Sequence, residues 1–106
     1  MPANSGKLQG VRETVTASMT PNGYQQITSL SSAVGLTDPA TNGPSTIVSI
    51  QAETQNVRWR DDGTNPTASV GGILVANSVY EYTGDLSAIK FIEVTASAKL
   101  NVSYYI

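Results

Sequence analysis

The clearest pattern in the chain is alternation. Over residues 99–106, Leu100, Val102, Tyr104 and Ile106 take one face, and Lys99, Asn101, Ser103 and Tyr105 take the other. Side chains of a strand alternate in this way, so the pattern predicts a half-buried β-strand. Residues 46–54 predict an apolar strand through Ile47, Val48 and Ile50. Residues 78–83 predict an aromatic one through Tyr80 and Tyr82. Further strands are expected over residues 24–29, 57–61 and 88–94, with a short one over 73–75. Residues 8–19 alternate as well, with Val11, Val15, Ala17 and Met19 on one face. Glu13 interrupts that face, and the first half of the stretch also admits a helix.

Turn chemistry separates these runs. Pro21-Asn22-Gly23 is a strong turn signal. Residues 37–45 hold Asp38-Pro39 and Asn42-Gly43-Pro44 and read as a loop. Residues 30–36 read as irregular chain or a short edge piece. Asp62-Gly63 opens a long loop that closes near Gly71-Gly72, and Gly84-Asp85 ends the aromatic strand. No segment keeps a 3.6-residue period over three turns. Seven or eight short strands with regular turns predict an all-β fold, a single antiparallel sandwich or barrel, with a jelly roll among the arrangements allowed. A chain of 106 residues fits one domain. Residues 8–106 are expected to form it, and the small polar residues 1–7 to form a mobile arm.

Composition narrows the function classes. Charged residues make up 13% of the chain, against about 25% in a typical domain. Ser and Thr fill the polar positions, which suits strands and also faces that meet other proteins, where few charges need desolvation. The net charge is −2 and the basic residues are dispersed, which argues against nucleic acid as a partner. No apolar run approaches the roughly 18 residues of a membrane helix, and the first residues lack the apolar stretch of a secretory signal, so neither membrane insertion nor secretion is expected. The chain has no Cys and no His. That removes the common nucleophile–base pairs and the usual transition-metal sites, so no catalytic residue, cofactor or metal is expected.

The densest chemistry lies around the only Trp. Val57 and Trp59 share one strand face, and Arg58 and Arg60 the other. Trp59, flanked by Val57, is expected in the core rather than as a sugar platform. The two arginines admit a partner contact or inter-subunit ion pair, and equally a solvated face paired locally to Glu53 or Glu81. Asp61 and Asp62 are adjacent and point apart on a strand, which does not suit a paired-carboxylate mechanism. The run Asp61-Asp62-Gly63-Thr64-Asn65 offers oxygens for calcium but departs from the alternating acidic loop that binds it. The alternative is a turn at Asp62-Gly63 with Asp61 capping backbone N–H groups. The interface candidates are therefore Arg58, Arg60, Asp61 and Asp62. Tyr80, Tyr82, Tyr104 and Tyr105 are expected half-buried, with hydroxyls reaching water. Asn101-Val102-Ser103 fits a glycosylation acceptor but falls inside an expected strand.

Two stretches carry a resemblance. One is Val57-Arg58-Trp59-Arg60-Asp61-Asp62-Gly63-Thr64-Asn65-Pro66-Thr67-Ala68-Ser69-Val70-Gly71. The other is Leu86-Ser87-Ala88-Ile89-Lys90-Phe91-Ile92-Glu93-Val94-Thr95-Ala96-Ser97-Ala98-Lys99-Leu100-Asn101-Val102-Ser103-Tyr104-Tyr105. Both resemble a small family of β-rich virion proteins of tailed bacteriophages. The resemblance covers residues 46–106, and residues 30–36 more loosely. It implies a non-enzymatic structural component of the virion: a capsid cement or decoration protein, bound to the major capsid protein on the capsid surface and suited to a homotrimer at three-fold sites. A fibre, baseplate or tail module that binds host glycans is the rival reading.

Overall fold

The computed structural model describes residues 19–106, and the arm expected over residues 1–7 and the strand expected over residues 8–19, but for Met19, lie outside them. Eight strands follow in order: β1 (Pro21–Ile27), β2 (Val34–Gly35), β3 (Ile47–Glu53), β4 (Val57–Arg60), β5 (Gly72–Leu74), β6 (Val79–Tyr82), β7 (Lys90–Glu93) and β8 (Lys99–Tyr105). Two four-stranded antiparallel sheets pack face to face, ordered β1-β8-β3-β6 and β2-β7-β4-β5. The described residues are all-β and contain no helix, as the period-2 patterning predicts.

The order of the strands explains the architecture. The chain changes sheet at every connection except β4 to β5. First pairs with last, second with seventh, third with sixth and fourth with fifth. A long antiparallel ribbon, folded over and rolled into two sheets, has this order, which is that of a jelly roll. The 61–71 loop is the tip of the ribbon, the one connection that stays within a sheet.

Alternation places the core. Val48, Ile50 and Ala52 of β3 and Leu100, Val102 and Tyr104 of β8 point inward from the first sheet. Val57, Leu74 and Phe91 meet them from the second, and Leu30, Ile89 and Ala98 close the ends. Fully burying side chains of this kind contributes about 1.5–3 kcal/mol each. The connections between sheets are tied by backbone bonds. Asn77 N–H donates to Ala52 C=O at 2.7 Å, and Val94 N–H donates to Asn56 C=O at 3.0 Å.

Two expectations need correction. Pro21-Asn22-Gly23 is not a turn: it opens β1, with an irregularity in the ladder to β8 between Pro21 and Gly23. Gly23 adopts φ +134°, so the signal that suggests a hairpin marks a bulge instead. Tyr104 is fully buried rather than half-buried. Its hydroxyl donates to Gln25 Oε1 at 2.6 Å, which satisfies it inside the sandwich.

Candidate functional site

The four interface candidates all sit at the ribbon tip. β4 runs antiparallel to β5 and β7, so Arg58 lies between Ile73 and Ile92 on the outer face of the second sheet. The 61–71 loop folds back over Arg58, whose guanidinium donates to Gly71 C=O at 2.7 Å and to Ala68 C=O at 3.3 Å. Pro66 is the one buried residue of the loop. Gly71 is the hinge on which the loop returns. Its φ is +139°, and a Cβ there would stand 2.8 Å from Trp59 O, so only glycine lets the chain pass this close.

Arg60 pairs with the loop as well. Its Nε donates to Asp62 Oδ1 at 3.0 Å, and its second nitrogen donates to Oδ2. This hydrogen-bonded pairing holds the Asp62 carboxyl below, and the Arg60 guanidinium above, its ordinary value. Asp62 also accepts from Thr64 N–H at 3.4 Å. The expected partners Glu53 and Glu81 do not take part. They lie on β3 and β6 of the other sheet and face away from it. Turn stabilisation likewise falls to Asp62 rather than Asp61. Asp61 accepts the hydroxyl of Tyr82 at 2.7 Å and so ties the ribbon tip to the first sheet. Burial, reinforced by the Asp61 carboxylate, pushes the Tyr82 hydroxyl up to about 12.

Trp59 is half-buried at the margin of the core rather than inside it. Its indole lies across the backbone of Gly72, its ladder partner, and its ring centroid is 6.3 Å from that of Tyr82. Beyond the tip the exposed surface turns apolar. Val70, Ile73, Val75 and Val79 are all exposed, and they fall between the tip and the start of β6. Among the described residues β5 and β6 are edge strands of their sheets, as β2 and β1 are on the other side, and residues 75–78 join them. Ile73 shares the outer face of the second sheet with Arg58, and Val79 shares the outer face of the first sheet with Gln51. This run of exposed apolar residues is a feature that the period-2 reading does not isolate, although Ile73, Val75 and Val79 stand close together in the sequence.

Away from β6 the outer face of the first sheet is polar and internally bonded. Asn101 Oδ1 accepts from Tyr24 at 2.6 Å and from Gln26 at 2.9 Å, and its amide donates to Glu53 at 2.8 Å. The residue of the glycosylation signal is therefore committed to a lattice across β1, β8 and β3.

A groove of about 540 Å³ opens at one end of the sandwich, between Asp38, Pro44 and Ser45 on one wall and Thr83, Asp85 and Leu86 on the other. Its two carboxylates are held by neighbouring serines. Burial raises the Asp38 carboxyl, but hydrogen bonds from Ser45 hydroxyl and N–H and from Ala40 N–H outweigh it, and the net shift is downward. Ser87 hydroxyl and N–H lower Asp85. No aromatic side chain lines the groove. Among the described residues no group of three or more Asp, Glu, His or Cys stands close enough to hold a metal ion.

The residue that sequence reading misses is Asn22. Only 1% of it is exposed, and it is the one buried polar residue of the described chain. Its amide donates to Gly43 C=O at 2.9 Å and to Ser45 Oγ at 2.8 Å, and its Oδ1 accepts from Asn42 N–H at 2.8 Å. One side chain thus fixes the loop that forms the groove wall. Its burial is foreseeable only if Pro21-Asn22-Gly23 is placed inside a strand. No protein-family model, curated protein or solved structure matches the chain.

Proposed function

We propose that this protein is a structural component of a phage virion that decorates and stabilises the capsid, as a trimer seated on the major capsid protein. The observation that carries this reading is where the exposed apolar side chains lie. Among the described residues four of the five large exposed hydrophobics, Val70, Ile73, Val75 and Val79, follow the joined edge strands β5 and β6. Unpaired edges with apolar side chains invite association, and monomeric proteins protect against it with charge or proline. Here the chain around them is charge-poor, so a contact along this edge desolvates little. Many such contacts on a symmetric shell add up to firm binding.

The jelly roll supports the same reading and also its rival, since such folds serve in viral capsid and lectin domains, and fold alone does not choose between them. The groove favours the cement. A glycan site built on stacking needs aromatic faces in a cleft, and the aromatic that is most exposed, Tyr24, lies on an open sheet face and donates to Asn101. The proposal is tested by locating the protein in a map of the intact virion and by heating particles that lack it. Cement predicts trimeric density on the capsid, and particles that assemble normally but release DNA at lower temperature or lower salt, where packaged phosphates repel more strongly. Unchanged heat stability with loss of adsorption to cells would move the role to host binding.

A further inference from the structure

The chain contains two Asn-Gly pairs, Asn22-Gly23 and Asn42-Gly43, and the fold treats them in opposite ways. We propose that Asn42 is a site of spontaneous backbone rearrangement, a slow self-modification of the loop that forms the groove wall, while Asn22 is shielded from the same reaction.

The chemistry uses only the chain and water. The backbone nitrogen of Gly43, on losing its proton, attacks Cγ of Asn42. The Cγ–Nδ2 bond breaks and ammonia leaves, which closes a five-membered succinimide. Water then adds to either ring carbonyl. Opening on one side gives an ordinary aspartate at this position. Opening on the other gives isoaspartate, in which the main chain runs through the former side chain. One water is consumed and one ammonia released, with no change of oxidation state. Glycine favours the attack because no Cβ stands over its nitrogen and its backbone turns freely.

Geometry separates the two sites. Asn42 is exposed, and among the described residues its side-chain amide has no hydrogen-bond partner. Nothing lies within 4 Å of where a Cβ of Gly43 would stand, so the rest of the protein does not crowd the glycine. The Gly43 nitrogen is held by one bond, to Ala40 C=O at 3.1 Å, and a local opening of that turn releases it. Asn22 is the reverse case. Both ends of its amide are engaged, the side chain is buried, and Gly23 is paired with Tyr104 in the β1–β8 ladder. Attack there requires that the sheet edge and the loop come apart together.

The rearrangement has a structural consequence. Asn22 grips the loop at Asn42 N–H, Gly43 C=O and Ser45 Oγ. Isoaspartate inserts one extra main-chain carbon between the first two of these points, so the three can no longer be met at once. Conversion to ordinary aspartate leaves the spacing intact.

The test holds the full chain in mildly alkaline buffer, native and in urea, and follows both sites by peptide mapping that distinguishes aspartate from isoaspartate. In the native protein Asn42 is expected to convert at least about tenfold faster than Asn22, and in urea the two rates should converge, since protection by structure is then gone. Equal native rates, faster conversion at Asn22, or a native Asn42 that stays intact while the urea sample converts would each overturn the proposal. Asn42→Gln, which keeps the backbone N–H, should abolish conversion at that position with no change in melting temperature. The purified isoaspartate fraction should melt below the unmodified protein, whereas the Asn42→Asp variant should melt as the unmodified protein does. An isoaspartate fraction that melts like the unmodified protein would overturn the link to Asn22.

Discussion

Two loops of this molecule are held to its sheets by opposite means. The 61–71 loop at the ribbon tip is held by charge: Arg58 on its carbonyls, Arg60 on Asp62, and Tyr82 on Asp61. The 36–46 loop is held by a neutral amide, Asn22, that is almost completely out of contact with water. Exposed ion pairs exchange good solvation for modest attraction and are screened by salt. A buried amide with all its partners in place gains little over water, yet removing it takes the partner from three polar groups of the loop at once. The tip is conspicuous in sequence and should be cheap to alter. The Asn22 anchor is inconspicuous and should be costly.

Substitutions sharpen the contrast. The largest effect is expected for Asn22→Ala, which leaves Gly43 C=O and Asn42 N–H without their side-chain partner and Ser45 Oγ with its bond to Asp38 alone. It should cost about 2–4 kcal/mol in urea unfolding, and a loss under about 1 kcal/mol would put the anchor elsewhere. Trp59→Ala comes next, at about 2–3 kcal/mol. The cost falls below that of a fully buried Trp because the indole is half-buried at the core margin.

Alkaline titration divides the two regions through their tyrosines. Burial, reinforced by nearby Asp38, pushes Tyr104 up to about 12, and Tyr82 stands at about 12. An unfolded tyrosine titrates near about 10. Because the folded values are raised, the stabilisation is fully present below about pH 10 and is lost as pH rises from about 10 to about 12. Stability followed by urea unfolding should therefore fall over that window. Tyr104→Phe should flatten the fall, and Tyr82→Phe should flatten it less, since Tyr82 is the more exposed.

Arg58→Ala should cost about 1–2 kcal/mol and open the tip loop to proteolysis, because two carbonyls lose their donor. The smallest effect belongs to Arg60→Ala and Asp62→Ala, whose urea midpoints should match the parent protein at moderate salt. A clear shift would mean that this pair has more than a local role.

These differences also explain what the sequence can reveal. β3, β4, β6, β7 and β8 lie within about two residues of the strands that alternation predicts, because burial of one face is written directly into residue type. The pairing order is another matter. A period of two says which side chains face inward but not which strand lies alongside, so sandwich, barrel and jelly roll stay equally open. Arg58, Arg60, Asp61 and Asp62 read as one cluster in the sequence and form one in the fold. Their partners escape the sequence because Glu53 and Glu81, near in sequence or similar in pattern, belong to the other sheet. Asn22 is hidden for a different reason. Asparagine before glycine describes backbone freedom, and both a hairpin turn and a bulge use that freedom.

Of the eight strands, the last to be synthesised is an interior one. β8 lies between β1 and β3, and at its end Thr20 and Ile106 exchange backbone bonds of 2.8 and 2.9 Å. Until β8 has left the ribosome, β1 has no neighbour in its sheet among the described strands and β3 lacks one of its two. The ladders of β8 to β1 and β3 join parts of the chain far apart in sequence. Such a topology closes in milliseconds to seconds rather than microseconds. During translation, the chain is exposed to association with its neighbours for longer than a sandwich this small would suggest.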